Sequence, residues 1–225
     1  MNSIKIIETK DGSHSLLNEI LNETYHSTHG AIQESRYVFI KNGLEYFLNE
    51  NKTQSVNIFE VGLGTGLNVL LALEFATKNK IKIKYTSIEA FPVKKEIAGQ
   101  LNYADLIFFS NGKTLFQEIH ASPWEESIQI NDFFCLKKTE QSIYEIELPN
   151  ETFEIIFFDA FAPAKQPDMW KLSVLEKTVN ALKPRGVFVT YCAKGQLKRD
   201  LKTLRLTVET LPGPPGKREM VRAVK

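Results

Sequence analysis

The chain has 225 residues, 43% hydrophobic and 24% charged, with a net charge of +1, which fits a single soluble globular domain with a sizeable core. No apolar run approaches the ~20 residues of a membrane helix, and the N-terminus, MNSIKIIETKDGSHS, lacks the apolar stretch of a secretory signal, so a cytoplasmic protein without membrane association is expected. Cys135 and Cys192 sit in apolar runs that suit buried thiols rather than a disulfide framework, and none of the four histidines is spaced to join either cysteine in a metal site.

Residues 1–50 fit no regular alternation and read as an N-terminal extension packed on a catalytic domain, ending in a helix from about Glu34 to Leu48. From residue 51 to 225 apolar strands alternate with helices. VNIFEV (56–61) is a strand, followed by a helix from Thr65 to about Thr77 with Leu67, Leu70, Leu71 and Phe75 on one face. IKYTSIE (83–89) is a strand, then a helix that Pro92 can start. FFCL (133–136) and FEIIFFD (153–159) are strands, and a helix runs from Pro167 or Asp168 to Leu182. GVFVTYC (186–192) is a strand and residues 195–203 a short helix. LRLTVETL (204–211) and REMVRAV (218–224), joined by PGPPG, close the chain as an antiparallel pair. The pattern predicts an α/β fold: a seven-stranded, mostly parallel sheet with helices on both faces.

Charge is unevenly spread. From Lys183 onward there are eleven Lys/Arg against three acids, +8, leaving −7 for the rest. Such a basic end can attract a polyanion, or can simply be a solvated face.

The first strand of the alternation ends FEVGLGTGLNVL. Gly62, Gly64 and Gly66 form a strand-to-helix turn in which the backbone can approach a ligand closely. A dinucleotide fingerprint would place its third glycine at position 67, which is Leu67; this speaks against an NAD-dependent oxidoreductase. Glu60, just before the loop, would repel pyrophosphate and welcome a sulfonium or amino group. Glu89 closes the next strand, where a carboxylate commonly accepts hydrogen bonds from ribose hydroxyls; its plainer alternative is a cap for the following helix. These residues resemble those of class I S-adenosylmethionine-dependent methyltransferases over residues 56–225. The resemblance implies a Rossmann-like fold and S-adenosyl-L-methionine as cofactor, held by Glu60, Gly62, Gly64, Gly66 and Glu89.

In EIIFFDAFAPAKQPDMW (154–170) a buried strand runs into Asp159. A carboxylate beside a backbone carbonyl can fix the hydrogens of an amine, aim its lone pair and receive its proton. Phe161 offers a face for a base, and Pro163 stiffens the turn. The alternative is a loop cap with Phe161 as a core plug. Here the resemblance narrows. DAFAPAKQPDMW (159–170), GAIQESRYVFI (30–40), GPPGKREM (213–220) and FEVGLGTGLN are similar to motifs of the methyltransferase module of the MnmC family, in the stand-alone MnmD form.

That resemblance implies methylation of the amine of 5-aminomethyl-(2-thio)uridine at the tRNA wobble position. It also implies Asp159 as the catalytic acid, no FAD and no metal, and upstream wobble-uridine enzymes as partners. It suggests Arg36 and Tyr37 as a lid, and Lys217 and Arg218 as phosphate contacts to tRNA. Lys137 and Lys138 depart from the family, which carries an acid after the third strand; adenine recognition then falls to a backbone group, Thr139 or Glu140. Trp170 and Cys192 are expected in the core, and the stretch around residues 120–132 has no assigned role. Two other readings stay open: an amino-methyltransferase acting on a small-molecule or protein amine, and a non-catalytic RNA-binding module.

Overall fold

The computed structural model describes residues 4–107 and 110–225. The chain opens with β1 (Ile4–Glu8), β2 (His14–Asn18) and β3 (Glu23–Thr24), an antiparallel sheet of three strands. An unbroken helical stretch then runs through α1 (Ala31–Ser35), a π-helical segment (Arg36–Glu45) and α2 (Tyr46–Asn51). The alternation follows as β4 (Ser55–Val61), α3 (Leu67–Asn79), β5 (Lys82–Ile88), the short helices α4 (Lys95–Ala98) and α5 (Tyr103–Leu106), and α6 (Gly112–Ala121). Next come β6 (Ser127–Asn131), β7 (Phe134–Thr139), β8 (Phe153–Phe158), a 3₁₀ turn (Pro167–Trp170) and α7 (Leu172–Ala181). β9 (Leu182–Thr190), α8 (Gly195–Thr203), β10 (Thr207–Pro212) and β11 (Glu219–Val224) complete the chain.

The main sheet has eight strands in the order β10-β11-β9-β8-β4-β5-β7-β6. β7, β5, β4, β8 and β9 are parallel, while β11 and β10 form the antiparallel end. The seven expected strands are all present. The eighth, β6, comes from the stretch without an assigned role and pairs antiparallel with β7. Two expected helix starts move: Pro92 precedes α4 by a short loop, and Pro167 opens only the 3₁₀ turn. α7 begins after Lys171, whose extended backbone (ψ 147°) interrupts the helix.

Parity explains the layers. In β8, Ile155 and Phe157 enter the core shared with the π-helical segment, α3 and α6, while Ile156 and Phe158 enter the core under α7 and α8. A strand buried on both faces therefore reads as an uninterrupted apolar run. Gly43 lets the helical stretch lie flat on the sheet; a Cβ there would stand 2.9 Å from Val189 Cγ1.

The small N-terminal sheet is tied down by polar contacts. In the β1–β2 turn, Asp11 accepts from the Gln33 N–H (3.0 Å), and Ser13 Oγ from the Ala31 and Ile32 N–H groups, so this turn caps α1 from a distance. Asn102 accepts from the His14 N–H and donates to the Gly12 carbonyl, both at 2.8 Å. Among the described residues no helix is long and apolar enough to cross a membrane, and both cysteines are free thiols.

Candidate active site

The carboxyl ends of β4, β5 and β8 meet where parallel sheets place ligands. Gly62 has a φ of +93°, and a Cβ there would lie 2.7 Å from the Asp159 backbone oxygen. Only glycine fits, so the glycine loop and the Asp159 turn touch backbone to backbone. The Gly62 and Leu63 N–H groups donate to the Ile88 carbonyl, at 3.0 and 3.1 Å, which fastens the loop to β5.

Glu89 stands just beyond β5. Its Oε2 accepts from the Gly64 N–H at 3.0 Å and its Oε1 from the Phe91 N–H at 2.9 Å. A carboxylate offers about four acceptor directions, so capacity for a diol remains on both oxygens. Glu89 thus holds the loop and still faces the opening. Glu89→Ala is expected to weaken binding of S-adenosyl-L-methionine, the cofactor that the sequence resemblance implies, about tenfold or more, read by calorimetry; an unchanged dissociation constant would remove Glu89 from that site.

These strand ends enclose a cavity of about 770 Å³, bordered by Gly62, Gly64, Glu89, Asp159, Phe161 and Lys217. That volume suits a nucleoside-sized ligand with room for a second group. The N-terminal sheet supplies one wall. Tyr25 meets Phe161 edge to face, with ring centroids 4.9 Å apart. His26 Nε2 lies 2.8 Å from Thr65 Oγ1 in the glycine loop, and burial depresses its ring to about 4, so it is neutral at pH 7.

Asp159 is enclosed but keeps a partly exposed edge on the cavity. Burial pushes its carboxyl up to about 7; the Glu34 charge adds to the rise, and Asn68 and Lys217 oppose it. Asn68, on the first turn of α3, donates from Nδ2 to Asp159 Oδ2 at 2.9 Å and to Glu60 Oε1 at 3.0 Å. The loop behind Asp159 is held by its carbonyls: Tyr191 Oη donates to Ala160 O and Trp170 Nε1 to Phe161 O, both at 2.8 Å. Trp170 is also buried against Phe158, with centroids 5.0 Å apart. This explains why the apolar motif ends in tryptophan: the ring packs in the core and its N–H fixes the turn.

Several site residues expected from sequence take other positions. Glu60 is fully buried and does not line the cavity. It accepts from Ser87 Oγ at 2.7 Å and from Asn68, because it shares a strand face with Ile58 and points toward α3. Gly66 initiates α3 in a left-handed conformation, beside His120 rather than the cavity. Pro163 lies in the turn beyond the lining. Arg36 ion-pairs with the buried Glu74 of α3 at 2.7 Å, and Tyr37 faces Lys41; neither reaches the cavity.

Lys138 is buried and donates to the Ile119 and His120 carbonyls, at 2.7 and 3.2 Å, so it closes the C-terminus of α6. Thr139 and Glu140 do not line the cavity; Gln141 and Ser142, just after them, do.

Lys217 borders the cavity but is engaged. Its ammonium pairs with the buried Glu34 and sits 3.7 Å above the Tyr191 ring centroid, while Glu34 also accepts from the Ser27 N–H at 2.8 Å. Arg218 beside it is exposed. Two separate sequence motifs, GAIQESR and GPPGKRE, therefore meet in one ion pair. Lys217→Met leaves Glu34 buried without its cation and is expected to cost about 1–3 kcal/mol. Melting of the variant beside Lys217→Arg checks this; equal melting of Lys217→Met and the unmodified protein would remove the pair from the stability account.

Residues 115–225 match the family described as S-adenosyl-L-methionine-dependent methyltransferase. Two relatives carry the name tRNA 5-methylaminomethyl-2-thiouridine biosynthesis bifunctional protein MnmC. The one from Campylobacter hominis is 29% identical, over 92% of this chain and 31% of its own length. The one from Leptospira interrogans is 30% identical, over 91% of this chain and 33% of its own length. The chain thus spans about a third of the length of these relatives. The crystal structure of MnmC2 from Aquifex aeolicus superposes with a TM-score of 0.77 at 26% identity, covering 99% of this chain and 70% of that one. The C-terminal half of the chain thus matches an S-adenosyl-L-methionine-dependent methyltransferase family, and most of its length is similar to MnmC proteins.

Gly62 lets the Asp159 backbone close on the glycine loop, and Glu89 borders the cavity with acceptor capacity left on both oxygens. Asp159 and the Glu34–Lys217 ion pair border the same cavity.

Proposed function

We propose that the methyltransferase transfers a methyl group to the amine of 5-aminomethyl-(2-thio)uridine at the tRNA wobble position, giving 5-methylaminomethyl-(2-thio)uridine. The carrying observation is the Asp159 carboxylate at the cavity edge, on a turn whose backbone packs against the glycine loop and continues into Phe161. The names of the MnmC relatives, which print tRNA 5-methylaminomethyl-2-thiouridine biosynthesis, support the nucleoside formed.

In this reading Gly62, Gly64 and Glu89 hold the donor. S-adenosyl-L-methionine, when bound, supplies an electrophilic methyl on a sulfonium. Asp159 accepts a hydrogen bond from the acceptor amine, so that the nitrogen lone pair faces the methyl, and its charge stabilises the cation that forms on nitrogen. The ammonium then gives up one proton, with Asp159 as the receiving group. Phe161, braced by Tyr25, offers an aromatic face to the flipped-out uracil. Arg218 and the other exposed cations of the C-terminal third favour the phosphate backbone. The aminomethyl group must be in place before this step.

The test is transfer of labelled methyl to tRNA from cells lacking this last methylation, followed by nucleoside mass spectrometry. Gain of one methyl on the aminomethyl nucleoside supports the proposal. Donor binding without transfer to that nucleoside would overturn the substrate and leave the fold reading intact.

A further inference from the structure

Asp159 receives one side-chain hydrogen bond among the described residues, from Asn68, and that amide is itself clamped to a second buried carboxyl. The two hydrogens of Asn68 Nδ2 are both used, one toward Glu60 and one toward Asp159. Its Oδ1 is buried with no donor. An apolar residue of the same shape would avoid this orphan acceptor, so the amide earns its place through its two donor bonds. The anchor is firm: Glu60 is fully buried and is held on its other oxygen by Ser87.

We propose that Asn68 is the positioning residue of the methyltransferase. Its amide, fixed by Glu60, orients the Asp159 carboxylate toward the acceptor amine and favours its ionised form. This rests on the reading of Asp159 as the amine-facing group.

The chemistry of the pair is consistent with that role. Burial pushes Glu60 up to about 8, so at neutral pH the protonated acid predominates, with Oε1 accepting from Asn68 and the proton on Oε2 facing the Ser87 hydroxyl. An ionised Glu60 beside Asp159 would instead oppose the charge that the reaction requires. Other groups also act on Asp159: the Glu34 charge raises its pKa and Lys217 lowers it, while Tyr191 and Tyr85 feel its charge and stay protonated. Asn68 differs from these in bonding the reactive carboxylate directly through its side chain, so removing it changes orientation and ionisation together.

The experiment is a carboxyl-carbon NMR titration of donor-free protein labelled at aspartate, paired with pH–rate profiles for methyl transfer. Unmodified protein should show Asp159 titrating near 7. In Asn68→Ala the midpoint should move upward and the acidic limb of the rate profile should move with it. kcat at pH 7 should fall by about tenfold or more, with little change in the KM for donor. Should Asn68→Ala fail to fold, Asn68→Leu, which fills the same space, carries the same expectations. Lost activity with an unmoved titration would make Asn68 merely structural and overturn the proposal; unchanged activity would overturn it equally. The titration requires no turnover. If unmodified protein fails to methylate the tRNA while the titration shift stands, the substrate reading falls and the Asn68 coupling survives.

Discussion

Asp159→Ala is expected to lower methyl transfer by about two to four orders of magnitude while leaving donor affinity within a few-fold of the unmodified protein. In the proposed reaction the carboxylate acts on the acceptor, orienting the amine and taking its proton, whereas the glycine loop and Glu89, which border the same cavity, would meet the donor. Because burial holds Asp159 at about 7 in the donor-free protein, the unmodified enzyme should gain activity as pH rises through that region. A cation in the cavity favours the ionised form, so saturating donor should move the acidic limb downward. Calorimetry for the donor and single-turnover transfer across pH 5.5–9 separate the two functions. A variant that still turns over at a comparable rate would end the catalytic assignment; loss of donor binding alone would recast Asp159 as a cofactor residue.

Gly62→Ala should be the most damaging one-carbon change in the site. Alanine at a φ of +93° is strained, and its Cβ would lie 2.7 Å from the Asp159 backbone oxygen. Neither partner is a flexible side-chain end: one is the loop itself, the other the turn that carries the reactive carboxylate. A cost of about 2 kcal/mol or more is expected, a fall in Tm of roughly 4–8 °C for a chain of this size. Donor binding and transfer should be lost together, since relief of the clash displaces both donor and acceptor sides. Thermal melts with and without donor read the outcome. An alanine variant that the donor stabilises as strongly as the unmodified protein would show that the loop tolerates the shift.

How much could be read from residues alone follows from the range of each interaction. The place of Glu89 and Asp159 at the cavity was legible because each directly follows a strand of the alternation, and a strand tip in a parallel sheet is a ligand-facing position. Glu60 sits on the same strand as the glycine loop, yet its direction depends on parity. It alternates with Phe59 and Val61 and therefore faces α3. That periodicity was present in the sequence, and counting from Ile58 gives the correct face.

Lys138 shows a different limit. Two adjacent lysines suggest a lost binding acid, but one of them satisfies helix carbonyls eighteen or nineteen positions earlier. Tyr25 and His26 were missed because β1–β3 are short and not regularly alternating, so no periodic signal marks them. The pairing of Glu34 with Lys217 spans 183 positions, and no local pattern reports it.

That long pairing bears on how the protein comes into being. During synthesis, the wall with Tyr25, the glycine loop and the Asp159 turn all leave the ribosome before the β10–β11 loop that carries Lys217. β9 lies between β8 and β11 in the sheet, so it remains an open edge until β11 has been made. The nascent chain therefore has the other named residues that border the cavity, but lacks Lys217, the cation that neutralises Glu34, and the strand that covers β9. Competence to bind the donor should appear late and all at once, with completion of the final hairpin.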